Sequence, residues 1–323
     1  MLLSVIVPCY NEEPVLRETH QRLVTVLQSL APVNYEIIYV DDGSRDQTTQ
    51  ILKELHAAKQ GACMVSLSRN FGHQLAITAG LEHARGDAVV VIDADLQDPP
   101  EVIPEMVERW VDGYDVVYGV RIERPGENRF RLGAIRLFYR FINLLSNVKM
   151  PVDVGDFRLV DRKVVDALAE MPERDRYLRG MMVWIGFRQT AVFYKRFPRF
   201  AGKSNYPLLK LLQLATDAVL SFSLTPLRLS ISTGFLAIGI ALAGIVYALY
   251  ERLVARDAPR GWTSLFVAIL FMGGVQLITL GIIGEYIGRI YGEVKRRPLY
   301  LVQESLGFDE HHVRSDGRQI DSG

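Results

Sequence analysis

Apolar runs and polar breaks follow one another at short spacing through the first 120 residues. Leu2–Val7, Tyr35–Val40 and Cys63–Leu67 read as strands. The run Ala88–Ile92 is apolar throughout and reads as a strand buried on both faces. Amphipathic stretches fall between them: a helix that ends near Leu30, one over roughly Asp46–Lys59, and one over Gln74–Ala84. A further helix from about Glu101 to Val111 precedes a fifth strand at Asp115–Tyr118. Such alternation predicts a mostly parallel α/β sheet covered by helices. Later stretches read as a helix from Arg162 to about Met171, a helix over Tyr177–Ile185 and a strand over Gln189–Tyr194.

The pattern changes after about residue 207. Pro207–Leu229 is apolar but carries Lys210, Gln213, Asp217 and Arg228, which predicts interfacial juxtamembrane helices rather than a span. The runs 231–250 and 262–287 are long enough to cross a bilayer, so a two-helix transmembrane hairpin is expected over 230–288. Both ends of a hairpin lie on one side. Arg289, Lys295, Arg296 and Arg297 after the second run favour the cytoplasmic side for the tail 289–323 and for the large domain 1–206. The opening MLLSVIVP has no basic segment before it and reads as a core strand, not a signal peptide.

Composition narrows the classes. The chain has 323 residues, enough for about two domains. Its formal net charge is zero, so nothing points to nucleic acid. Cys9 and Cys63 are the only cysteines, too few for a disulfide framework, and reduced thiols are expected.

Three predicted strands end in polar or acidic loops: PCYNEE, DDGSRD and DADLQD. Neighbouring loops at the carboxyl ends of a doubly wound sheet converge on one crevice. Asp93 and Asp95 stand one residue apart just past a buried strand, with Gln97 and Asp98 close behind and Pro99-Pro100 as a stop. Carboxylate and amide oxygens suit Mg²⁺ or Mn²⁺, and such a cation usually holds phosphates. An acidic turn capping the next helix is the competing reading. No glycine-rich dinucleotide or P-loop signature occurs, so phosphate charge would be met by metal and by arginines. Asp41 and Asp42 alternate sides, so one of them is expected in the site, with an Asx turn at Gly43 as the alternative. Asn128–Asn147 is basic and amphipathic and fits a membrane surface or the domain's flank. Asp156, beside Gly155 and ahead of a short apolar strand, faces the same crevice or caps a turn. The basic, aromatic segment Lys195–Tyr206 is a juxtamembrane linker or a phosphate-binding loop.

The motifs SVIVPCYNEE, VDDGSRDQT, NFGHQLAITAG and DADLQDPPE, in that order, resemble the glycosyltransferase family 2 catalytic domain of GT-A fold. VGDFRLVDR, MPERDRYLRGMMVWIG and GEYIGRIYGEVKRRPLYLV resemble the bactoprenol (undecaprenyl-phosphate) glucosyltransferases, with dolichol-phosphate mannose synthases as more distant relatives. The resemblance spans roughly residues 3–302. It implies that Pro8, Tyr10, Glu12 and Asp41 line a nucleoside pocket. Asp93 and Asp95 would bind metal and diphosphate, with Gln97 as a further metal ligand. Arg121, on the loop after the fifth strand, would lie near the acceptor phosphate, Asp156 in the acceptor site, and Lys203 and Ser204 on the polyprenyl phosphate. The implied reaction moves a hexose, glucose from UDP-glucose first, onto undecaprenyl phosphate with inversion, assisted by Mg²⁺ or Mn²⁺. The implied setting is a bacterial inner membrane and a homo-oligomer. UDP-GlcNAc, UDP-galactose or GDP-mannose as donor, or a non-catalytic nucleotide-sugar-binding scaffold, are the alternatives. A processive synthase is disfavoured, because two spans form no channel and no Q-x-x-R-W motif is present.

Overall fold

The computed structural model describes residues 1–58, 61–122, 154–195, 225–250 and 262–308. The described residues fall into two compact units. The first holds an eight-stranded sheet. Its strands are β1 (Leu2–Cys9), β2 (Asn34–Asp41), β3 (Ala62–Leu67), β4 (Ala88–Val91), β5 (Val116–Arg121), β6 (Val154–Asp161), β7 (Gln189–Tyr194) and β8 (Val302–Leu306). They are ordered β7-β5-β6-β4-β1-β2-β3-β8. Helices α1 (Leu16–Gln28), α2 (Thr48–Ala57), α3 (His73–His83), α4 (Ile103–Val111), α5 (Arg162–Glu170) and α6 (Leu178–Ile185) connect and cover it. A short 3₁₀ turn, Pro100–Val102, leads into α4, where the double proline fits the first turn because its missing N–H would have no partner there.

β1 to β4 form a parallel set, and almost every residue of these strands is buried. That is why they read as unbroken apolar runs rather than as alternation. Leu3, Val5 and Val7 on one face share a core with Leu16, Leu23 and Leu27 of α1 and Met106 of α4. Ile6 points to the other face, where α3 lies so close that a Cβ on Gly80 would stand 2.3 Å from Ile6 Cγ2. Gly80→Ala is therefore expected to overpack this contact and to destabilise the domain by about 1–3 kcal/mol, read as a lower apparent melting temperature.

The sheet is mostly parallel, as the strand–helix alternation predicts, but two reversed strands make it mixed. β6 runs antiparallel between β4 and β5, and β8 runs antiparallel beside β3. β5 and β7 are parallel to each other. Alternation along the chain shows how neighbours connect, but not where a strand from much later is inserted. Two site residues change place as a result. Asp156 lies inside β6 rather than ahead of a strand, and Arg121 is the last residue of β5 rather than part of the loop beyond it. The expected tail after the hairpin contains β8, so residues Val302–Leu306 return to the sheet of the first unit.

The second unit contains α7 (Thr225–Tyr250) and α8 (Trp262–Val294), which pack on each other. Among the described residues Phe271–Val294 is long and apolar enough to cross a membrane by length and composition, and Leu229–Gly244 is a shorter apolar stretch. Residues 225–229, expected in an interfacial helix, are the first turn of α7. The remainder of that stretch, the basic segment 128–147, and Lys203 and Ser204 lie outside the described residues.

Candidate active site

The strands that run parallel to β1 all end on one edge of the sheet, and their loops are laced together there. The Asn11 N–H donates to Ser44 Oγ (3.0 Å), and Asn11 Oδ1 accepts from the Arg45 N–H (2.8 Å). The Glu12 N–H donates to Thr48 Oγ1 at 2.9 Å. Asn11 has a φ of 56°, a left-handed conformation that asparagine adopts more readily than most residues. Asp42 ties in the third loop, accepting the N–H groups of Phe71 (2.7 Å) and Gly72 (2.9 Å). Burial nevertheless raises its carboxyl pKa.

A cavity of about 420 Å³ opens beside this lacework, with Tyr10, Asp41, Thr49, Ser66 and Arg69 in its wall. Asp41 accepts from the Ser44 N–H (2.9 Å), Thr49 Oγ1 and Ser66 Oγ (3.4 Å). Of the four residues assigned to a nucleoside pocket, Tyr10 and Asp41 line this cavity. Pro8 sits within β1 opposite Val40, and Glu12 lies at the start of the loop that Thr48 holds.

The acidic cluster follows β4. Asp93 keeps 27% of its side chain exposed. Its Oδ1 is enclosed, without a hydrogen-bond partner among the described residues. Burial pushes its carboxyl pKa up to about 6, with repulsion from Asp156, Asp98 and Asp95 adding to it against the pull of the His73 imidazole. Asp95 Oδ1 accepts the Gln97 N–H at 3.1 Å. Leu96 between them has a φ of 57°, a conformation that costs a leucine roughly 1–2 kcal/mol, held here by its burial and by that bond. Gln97 Oε1 is also buried without a partner.

Two arginine–carboxylate units border the cluster. Arg179 Nε and Nη2 donate to the two oxygens of Asp156, both at 2.8 Å, and His73 Nε2 lies 3.3 Å from Asp156 Oδ2 and 3.5 Å from Asp93 Oδ1. Burial opposes ionisation of Asp156, but the Arg179 and His73 bonds hold its carboxyl well below the usual range. Burial likewise opposes charging of His73, and the Asp156 bond with the Asp93 charge outweighs it, so the imidazole pKa is raised. Beside it Arg158 is fully buried, bonded to the Gly155 and Asp156 carbonyls, and burial brings its pKa down to about 10. In the other arginine–carboxylate pair Arg121 Nη2 lies 3.1 Å from Oδ2 of the fully buried Asp98, and the Tyr194 hydroxyl donates to Asp98 Oδ1 at 2.6 Å. Gly155 makes room for this, since a Cβ there would lie 2.8 Å from Arg121 Nη2. Gly155→Ala is expected to displace the guanidinium from the buried Asp98 and so to lower the apparent melting temperature as well as activity, because it weakens a buried ion pair.

His73, Arg179 and Tyr194 were not singled out by the sequence, and Asp98 was named there only as part of the acidic stretch, without a partner. His73 stands in NFGHQ at a loop–helix junction, and Arg179 is a charge at the start of the apolar segment LRGMMVWI. Both are signals, but neither names its partner.

Residues 4–169 match the family model for glycosyl transferase family 2. The chain belongs to that family. The sheet just described is thus a GT-A-like α/β fold, and the site lies in a glycosyltransferase domain. Residues 225–290, which include α7 and α8, match the model for the GtrB C-terminal hairpin. Among relatives of this family 2 protein, an uncharacterized glycosyltransferase, YkcC, of Bacillus subtilis is 47% identical over 97% of each chain. The SfII prophage-derived bactoprenol glucosyl transferase of Shigella flexneri is 41% identical over 94% of this chain and 98% of its own. Among solved structures, glucosyl-3-phosphoglycerate synthase from Mycobacterium tuberculosis, in complex with Mn²⁺, UDP-glucose and phosphoglyceric acid, is 22% identical. It covers 68% of this chain and 77% of its own with a TM-score of 0.43.

Among the described residues no three acidic, histidine or cysteine side chains form a ready metal cage. A cation that keeps water and binds substrate phosphates needs only one or two carboxylates. The enclosed oxygens of Asp93 and Gln97, which accept no hydrogen bond among the described residues, and the mutual repulsion of the aspartates fit such an ion.

Proposed function

We propose that the protein transfers a hexose, glucose from UDP-glucose in the first instance, onto undecaprenyl phosphate with inversion, releasing UDP. The observation that carries this is the 41% identity to a bactoprenol glucosyl transferase along 94% of the chain. The cluster of Asp93, Asp95 and Asp156 beside a polar cavity supports it. Tyr10 and Asp41, with Pro8 and Glu12 behind them, bind the nucleoside. Asp93, Asp95 and Gln97 would hold Mg²⁺ or Mn²⁺, which supplies positive charge against the charge developing on the leaving diphosphate.

The acceptor brings its own nucleophile. A phosphate monoester has its second pKa near ~6 and is mostly dianionic at neutral pH, so no strong base is needed. Asp156 suits that requirement: with Arg179 on both oxygens and His73 on one, it is a poor proton acceptor and orients the acceptor instead. Arg121, with Lys203 and Ser204, holds the acceptor phosphate, and the charges of Arg179 and Arg121 offset repulsion between phosphate and aspartates. One in-line displacement inverts the anomeric carbon.

The catalytic unit and both chain ends lie on the cytoplasmic face of a bacterial plasma membrane, and α7 and α8 cross it as a hairpin in a homo-oligomer. The exposed apolar side chains of α8, Leu277 and Ile278 among them, then face lipid.

Full-length protein in detergent is incubated with undecaprenyl phosphate and a panel of UDP- and GDP-sugars, and the lipid is weighed by mass spectrometry. A hexosyl phospholipid from UDP-glucose, lost on adding EDTA and regained with Mn²⁺, is expected. A product from another nucleotide sugar alone moves the donor assignment. UDP-sugar binding without any lipid product favours the scaffold reading. A product that keeps the donor's α configuration overturns the single displacement.

A further inference from the structure

Gln303 and Glu304 are adjacent in β8, yet both line the cavity that holds Tyr10, Asp41 and Arg69. In a regular strand, neighbours point to opposite faces. Here the pairing with β3 steps from Ser66↔Glu304 to Leu67↔Val302, which leaves Gln303 as an extra residue. This is a β-bulge, a device that re-aims a side chain beside a site. The bulge is held firmly on either side. The Ser68 N–H donates to the Leu301 carbonyl at 2.9 Å, the Tyr300 hydroxyl bonds Glu82, and Phe308 rests 5.2 Å from the His83 ring. Glu304 itself is fixed by Lys53 at 2.7 Å.

Asp41 cannot recognise a base alone. Three of a carboxylate's roughly four acceptor positions are taken by Ser44, Thr49 and Ser66. The imide edge of uracil offers both an N–H and carbonyl oxygens, and a carboxamide matches both. We propose that Gln303, on the strand that follows the hairpin in sequence, hydrogen-bonds the nucleoside half of the donor and sets its affinity. This rests on the nucleotide-sugar reading above.

The test uses the full-length protein in detergent with UDP, inorganic pyrophosphate and Mn²⁺, by calorimetry, together with transfer kinetics. Gln303→Ala is expected to weaken UDP binding about tenfold and to raise the donor KM to match, as the loss of one or two neutral hydrogen bonds does. Pyrophosphate, which has no nucleoside, binds the variant as it binds wild type, and the acceptor KM and melting temperature do not move. Equal UDP affinity in wild type and Gln303→Ala overturns the proposal. So does an equal loss of pyrophosphate affinity, which would assign the effect to the diphosphate or to the fold. If wild type itself binds no UDP, the donor reading has failed; if it binds UDP but transfers nothing, only the acceptor reading has.

Discussion

Asp93→Asn is expected to remove transfer, by about 10³-fold or more, while making the metal-free protein more stable. The two effects have one cause. Asp93 sits among Asp95, Asp98 and Asp156, and its enclosed Oδ1 accepts no hydrogen bond among the described residues, with the His73 imidazole 3.5 Å away as its cationic neighbour. Its folded pKa, about 6, lies above the ordinary value of 3.8. A group raised in this way contributes stability below the ordinary value and loses it as pH rises through the folded one. Well above pH 6 the ionised carboxylate therefore costs the metal-free fold about 3 kcal/mol. The amide keeps the shape and removes the charge, so the cost disappears, as does the charge that would hold a cation against the diphosphate. In EDTA, the wild-type melting temperature should fall between pH 5 and 7.5 and that of the variant should stay level. A variant that still transfers at the wild-type rate, or one no more stable than wild type in EDTA at pH 7.5, would refute this account.

Arg179→Ala is the second large effect: a fall of about 10²–10³-fold in kcat with donor affinity nearly kept. Arg179 makes two parallel bonds to Asp156, and its loss leaves a buried carboxylate with His73 as its closest cationic neighbour. Breaking a buried pair on one side costs up to about 3–5 kcal/mol where the remaining charge is left alone, and less here because His73 and Arg158, whose Nη2 is 3.7 Å from Asp156 Oδ1, still face the carboxylate. The sign of the pH effect follows. In wild type the Asp156 pKa is depressed, so its ionised form persists to strongly acid pH. Without Arg179, burial dominates and the pKa rises, so activity drops as pH falls from neutral. Arg179→Lys should recover only part of the loss, since an ammonium cannot reproduce the bidentate geometry. The decisive reading is the acid limb of the kcat profile, which a purely structural defect would not shift.

The parallel half of the sheet could be read from the chain because strands buried on both faces must be apolar throughout and each is followed at once by its helix. The DADLQD loop stood out for a related reason, an acidic and polar turn placed directly after a strand buried on both faces, with a helix-capping turn as the competing reading. Asp156 could be flagged as acidic, but its protonation state could not be foreseen, because that depends on Arg179, 23 residues further on. Arg121 was placed one element too late, since nothing local shows that β5 continues to pair with β7 as far as Tyr194.

By itself the sequence determined the alternating α/β order, the apolar helices of the second unit and the acidic residues offered at the strand ends. These depend on local periodicity and composition, which need no partner. Tertiary structure alone decided the insertion of β6 between β4 and β5, the return of β8 to the edge of β3, and the pairing of Asp98 with Tyr194 across 96 residues. Each of these is settled by which edges and side chains meet after the chain has closed large loops, and the energy that selects them appears only once both partners are buried together.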